Sequence, residues 1–160
     1  MDEYWLLTNH HKYLVITSHS CLVSAVYGYM YYTPTYPLYL FPALTYINSV
    51  NYWRHPRPGL RRNIDMIYIC SAILVQHYIA HYYIHPSWAY YFFVIVGASM
   101  YPAGYWFYWR KQYVISTLIH SLIHILGNLA NILKFSAFLQ TSFCKKMKSN
   151  HPNSLWVYFT

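Results

Sequence analysis

The chain has 160 residues, of which 57% are hydrophobic and only 9% are charged. A soluble domain carries about 25% charged residues, so this composition cannot cover a globule for water. An aromatic content of 22% likewise excludes a disordered chain. The net charge of +8 does not signal nucleic-acid binding, because the basic residues fall at the ends of apolar stretches and not on one soluble face.

A membrane-spanning helix needs about 20 mostly apolar residues. The chain therefore reads as an all-α, polytopic transmembrane bundle of about five spans, integral to a lipid bilayer. The helical domain covers residues 1–134, and a basic tail follows over 135–160. The opening MDEYWLLTNHHK holds two acids and no basic-then-apolar run, so the first span itself is expected to insert the chain. That span covers about 13–32 and is interrupted by Thr17, Ser18, His19 and Ser20. The sequence Thr33-Pro34-Thr35-Tyr36-Pro37 ends it, because proline cannot continue a helix.

The second span, about 36–53, closes with Asn48, Ser49 and Asn51, and a Pro/Arg segment from Arg54 to Arg62 breaks the chain. The third runs over about 64–84 and stops at His85-Pro86-Ser87, where Ser87 is placed to cap the next helix. The fourth, about 88–109, contains Pro102, which removes a backbone donor and predicts a kink. Arg110 and Lys111 precede the fifth, about 112–133, in which Gly127 predicts a close helix approach. Cys21, Cys70 and Cys144 form no CxxC pair and predict no disulfide framework.

Lysine and arginine near span ends set orientation. Lys12, the four arginines between spans two and three, and Arg110 with Lys111 all fall on one side, which predicts an inside N-terminus. The tail departs from this rule, since five spans place Lys134, Lys145, Lys146 and Lys148 on the other side. Either the tail breaks the rule, or 135–144 helps the chain re-enter, or a span is miscounted. Tyr and Trp crowd both sets of span ends, as interfacial belts do. A clustered aromatic box would alternatively take a ligand cation.

The polar residues inside the spans carry the functional alternatives. Asp65 is the one carboxylate beyond Asp2 and Glu3. It either pairs with Arg61 or Arg62 at the interface or serves as a metal ligand or acid–base group. His77, His81 and His85 repeat every four residues on one helix face, as do His120 and His124. Rise arithmetic places His77 near the level of His124, and His19 near that of His120, should spans one, three and five adjoin. Such histidines hydrogen-bond between helices, hold a metal ion or handle protons.

The order Ser49, His55, Asp65 and then HxxxH at His120 and His124 resembles the CREST superfamily, which includes alkaline ceramidases and adiponectin-type receptors. The resemblance implies a zinc ion held by Asp65, His120, His124 and His55, with Ser49 as an outer donor. It further implies a lipid amide substrate hydrolysed by zinc-activated water. That family has seven spans, and its serine-to-histidine spacing falls here on Trp53. The strings NYWRHPRPGLRRNIDMIY and HSLIHILGNLANIL are also similar to small uncharacterised multi-span proteins of protists and large DNA viruses, which implies no assigned activity. The leading expectation is a structural or interaction component of a membrane. The alternatives are the zinc hydrolase and a proton or metal-ion carrier on His19, His77 and His124, the last needing a homo-oligomer for a wide enough pathway.

Overall fold

The computed structural model describes residues 3–31, 38–56 and 59–150, with side chains described over 11–30, 38–56 and 59–140. The predicted turn at 33–37, Arg57, and the side chains of Tyr31, Cys144, Lys145, Lys146 and Lys148 lie outside the described residues. Five α-helices follow one another: α1 Glu3–Tyr31, α2 Leu40–Trp53, α3 Leu60–Ile79, α4 Trp88–Trp109 and α5 Tyr113–Asn150. A π-helical turn, Ala80–Ile84, extends α3.

Local chemistry sets these boundaries. From Tyr13 to Tyr31, and through the whole of α2 and α4, no charged residue interrupts the helix. Gly59 opens α3 at φ 131°, a conformation that a side chain would resist. His85 closes the π turn in the left-handed region at φ 51°, its N–H bonded to the Ala80 carbonyl at 2.8 Å. Pro86 then prevents the helix from resuming. Ser87 does occupy the cap position of α4, but through its backbone: its carbonyl accepts from Tyr90 N–H at 3.0 Å and its hydroxyl makes no capping bond.

The fifth helix differs most from expectation. It runs 38 residues without a break at 134, so the backbone from 135 to 144 stays helical and does not turn back. Lys134, expected at the start of the tail, is a completely buried residue inside the bundle.

Consecutive helices run antiparallel. α1 packs between α2 and α5, α2 bridges α1 and α3, and α4 lies along α5, while the π turn reaches α5. Leu14, Tyr52 and Trp53 form an apolar cluster at one end. Leu38, Ile84 and Phe135 form another at the opposite end. Lys12, Arg54, Arg61, Arg62, Arg110 and Lys111 are exposed near the first, which is therefore the basic end.

A Cβ on Gly127 itself would meet nothing within 4 Å, although one at Gly97 of α4 would lie 4.0 Å from the Gly127 nitrogen. Tighter contacts lie at Gly28 against Phe135 and at Gly104 against Ile119, where a Cβ would stand 2.8 and 3.4 Å from ring and methyl carbons. Small residues allow such backbone approach between helices in lipid.

The surface is inverted relative to a soluble bundle. Ile16, Ile67, Leu74 and Ile95 are each more than 60% exposed, whereas Ser18, Ser24, Ser49 and Lys134 are fully buried. Leu60–Ile84 and Tyr113–Gln140 are long and apolar enough to cross a membrane. The protein is thus an all-α bundle whose two long apolar helices suit a membrane.

Candidate functional site

The buried polar side chains form a seam between the two apolar clusters. Helix α5 supplies its spine: His120, His124, Asn128, Asn131 and Lys134 follow at steps of three or four, the spacing of one helix face. Asn128 is the junction. Its amide nitrogen donates to the His124 carbonyl at 2.6 Å and lies 3.0 Å from Ser20 Oγ and 3.2 Å from Cys21 Sγ. Ser24 Oγ donates to Asn128 Oδ1 at 2.5 Å. One amide therefore meets three side chains of α1, and Tyr27 and Ser136 join the same two helices at 2.9 Å.

Toward the non-basic end, Lys134 Nζ donates to Gln76 Oε1 on α3 and to Asn131 Oδ1 at 2.9 Å. Toward the basic end, Ser49 Oγ donates to Asp65 Oδ1 at 3.0 Å, joining α2 to α3. Asp65 is only 5% exposed, and Arg61 and Arg62 beside it are exposed. The expected interfacial pairing of Asp65 with an arginine is replaced by this inward bond to a serine. The reason is register: α3 begins at Leu60, so Asp65 lies about 7 Å up the helix and not at its mouth.

The histidines do not converge as their depths suggested. His19 is exposed, with Nδ1 2.9 Å from the Val15 carbonyl and its ring edge-on to Tyr46. His77 packs against Tyr90 and Tyr91, at ring distances of 6.1 and 5.5 Å. His81 and His85 are exposed near the non-basic end. His120 sits between Trp53 at 4.9 Å and Tyr101 at 6.4 Å, and among the described residues His124 is the one other histidine that meets it, at 5.5 Å. Depth fixes the level of a residue but not its direction around the helix axis. α2 stands between α1 and α3, and the His77 ring of α3 meets Tyr90 and Tyr91 of α4.

The donor set does not fit a zinc ion. Among the described residues no group of three His, Cys, Asp or Glu side chains is arranged to hold a metal. Of the implied ligands, His55 is exposed beyond the end of α2, Asp65 is engaged by Ser49, and His120 and His124 form a pair alone. Two buried polar atoms of this region, Trp53 Nε1 and His124 Nε2, have no hydrogen-bond partner. Comparison with protein-family models, with curated protein sequences and with solved structures returned no match.

The sequence alone marks Ser49, Asp65, His120 and His124 but not Gln76, Ser24 or Lys134 as partners. A signal for them existed. Lys134 continues the three-residue step from Asn128 and Asn131, and Gln76 is a lone amide in the apolar run AILVQHYI. Chemically the seam is a series of hydroxyls, amides and imidazoles, groups that can each both donate and accept.

Proposed function

We propose that the protein is a five-span integral membrane protein with its basic end toward the cytoplasm, acting as a structural or interaction component. One observation carries this reading: aliphatic side chains cover the outside of the bundle while serines, amides, Asp65 and Lys134 fill its inside. In hydrocarbon the apolar side chains need no cover, and polar contacts between helices take over the role of a hydrophobic core. The exposed Trp88, Tyr82 and Tyr83 at one end, with Trp106 and Trp109 at the other, support two interfacial belts. At the basic end Arg110 lies 4.1 Å over the Trp106 ring, an arrangement suited to headgroup level.

Alkaline carbonate extraction of membranes that contain the protein tests the reading. The chain is expected in the membrane pellet, and its partition to the detergent-rich phase on cloud-point separation should be complete. Release into the carbonate supernatant as a folded monomer would overturn the proposal.

A further inference from the structure

The seam contains one group that a purely structural role does not require. Lys134 lies 21 residues along α5 from Tyr113, a rise of about 31 Å. A lysine near the end of a spanning helix ordinarily extends its ammonium to the interface. Lys134 instead has no exposed surface. Its nitrogen is held by Gln76 Oε1 from α3 and Asn131 Oδ1 from α5, with the Phe135 ring centre 4.8 Å away.

Among the described residues no carboxylate neutralises it. Asp65, on the same helix as Gln76, lies eleven residues back, about 16 Å along the axis. The titratable groups nearest this end on the surrounding elements are His77 beside Gln76 on α3, Tyr27 on α1 and Tyr90 on α4. Just ahead of and at the start of α2, Leu38 and Phe41 pack at this end, with Tyr39 beside Gly28 and the Tyr68 hydroxyl of α3 donating to the Phe41 carbonyl.

Amide partners differ from a carboxylate in one decisive way. A carboxylate would fix the lysine as an ammonium. A carboxamide accepts from an ammonium through its oxygen, and after a half-turn it donates to the lone pair of an amine through its nitrogen. The Gln76–Asn131 cradle therefore completes the hydrogen bonds of either protonation state. On the far side, Leu38, Ile84 and Phe135 seal the site with apolar groups. On the near side, Asn131, Asn128, His124 and His120 continue along one face of α5 toward the basic end, and His124 Nε2 lacks a partner.

We propose that Lys134, Gln76 and Asn131 form a proton-exchange site inside the bundle, reached from the basic end along the α5 face. Its ligand is a single proton. On release, an ammonium N–H bond breaks and the proton passes to water or to a base of the seam; the amine keeps the electron pair. Uptake is the reverse. The site deepens the membrane reading, since it gives the polar interior a ligand.

The test uses full-length protein with [13Cε]lysine, reconstituted in nanodiscs, its Cε resonances followed from pH 5 to pH 10. Lys134→Met assigns the signal by its loss, and Lys134→Arg does the same where Met does not fold. The Lys134 signal is expected to step from ammonium to amine position separately from the other lysines. Gln76→Leu is expected to displace the step by about one pH unit or more, and Gln76→Glu to hold the ammonium throughout. A Lys134 signal that follows the other lysines, or a step indifferent to both Gln76 variants, overturns the proposal. The resonance reports this nitrogen alone, so an error in the number of spans would leave the result standing.

Discussion

Ser24 and Asn128 meet across α1 and α5 at 2.5 Å, with Cys21, Ser20 and the His124 carbonyl around the same amide. In water such bonds compete with solvent; in a bilayer the separated helices find other partners, so each is worth only about 0.6 kcal/mol, up to about 1.7. A double-mutant cycle of Ser24→Ala and Asn128→Ala, read by denaturation in mixed micelles, should give a coupling in that range. A coupling of zero would show that the two side chains do not meet. Steric limits at single residues are sharper. Gly28 has the Phe135 ring 2.8 Å from where its Cβ would stand and Tyr39 Cβ at 3.0 Å, and neither backbone can withdraw without opening the cluster at that end. Gly28→Leu should therefore destabilise the protein by about 1–3 kcal/mol, and Phe135→Ala in the same chain should recover part of the loss. An undiminished melting temperature for Gly28→Leu would contradict the close approach of α1 and α5.

At the scale of elements, α4 packs along α5, and Gly104 marks a close approach between them. A Cβ there would lie 3.4 Å from Ile119 Cγ2 and 3.7 Å from the Ser116 carbonyl, and Ser116 Oγ already donates to the Gly104 carbonyl at 2.9 Å. Gly104→Ala should leave thermal stability in micelles nearly unchanged. Gly104→Ile should lower it by about 1–3 kcal/mol through overpacking, with recovery when Ile119→Ala makes room. Equal effects of Ala and Ile would rule out this packing. The elements themselves were legible in sequence because their causes are local. The C-terminal ends of α2 and α4, at Trp53 and Trp109, stand at the residues where the uncharged runs end, and the break at His85-Pro86 follows from proline chemistry. What was not legible depends on azimuth. The i, i+4 spacing showed that His120 and His124 share a face, yet not that Trp53 and Tyr101 would cover it. Lys134 read as the first charge of a tail because a lysine next to a polar stretch carries no local sign of a glutamine on another helix.

For the whole molecule, the directions of the five helices follow from contacts spread along their lengths: Leu14 beside Tyr52 and Trp53, Asn128 beside Ser24, and Phe135 beside Leu38 and Ile84. An up-and-down arrangement of this kind puts both Arg61 and Gln112 at the basic end and Ser87 at the other. Membrane insertion retains lysine and arginine on the cytoplasmic side, so the fold and the charge pattern together make a topological prediction that neither makes alone. In a chain whose Cys21, Cys70 and Cys144 are replaced by alanine or serine, single cysteines at 61, 87 and 112 should separate by side. Ser87→Cys should react with a membrane-impermeant maleimide added outside intact cells. Arg61→Cys and Gln112→Cys should react only after the membrane is opened. Labelling of 87 and 112 from the same side would mean that α4, 22 residues without a charged side chain, does not cross. Labelling of 61 and 87 from the same side would remove α3 as a span in the same way. α2 is the more demanding case, because its 14 residues rise only about 21 Å, short of a hydrocarbon core of about 30 Å. Local thinning of the bilayer accommodates a short helix at a cost of fractions of a kcal/mol per Å. The same three cysteines in a thicker, longer-chain bilayer should therefore keep their sidedness while thermal stability falls, a result that a bundle lying on the membrane surface would not give.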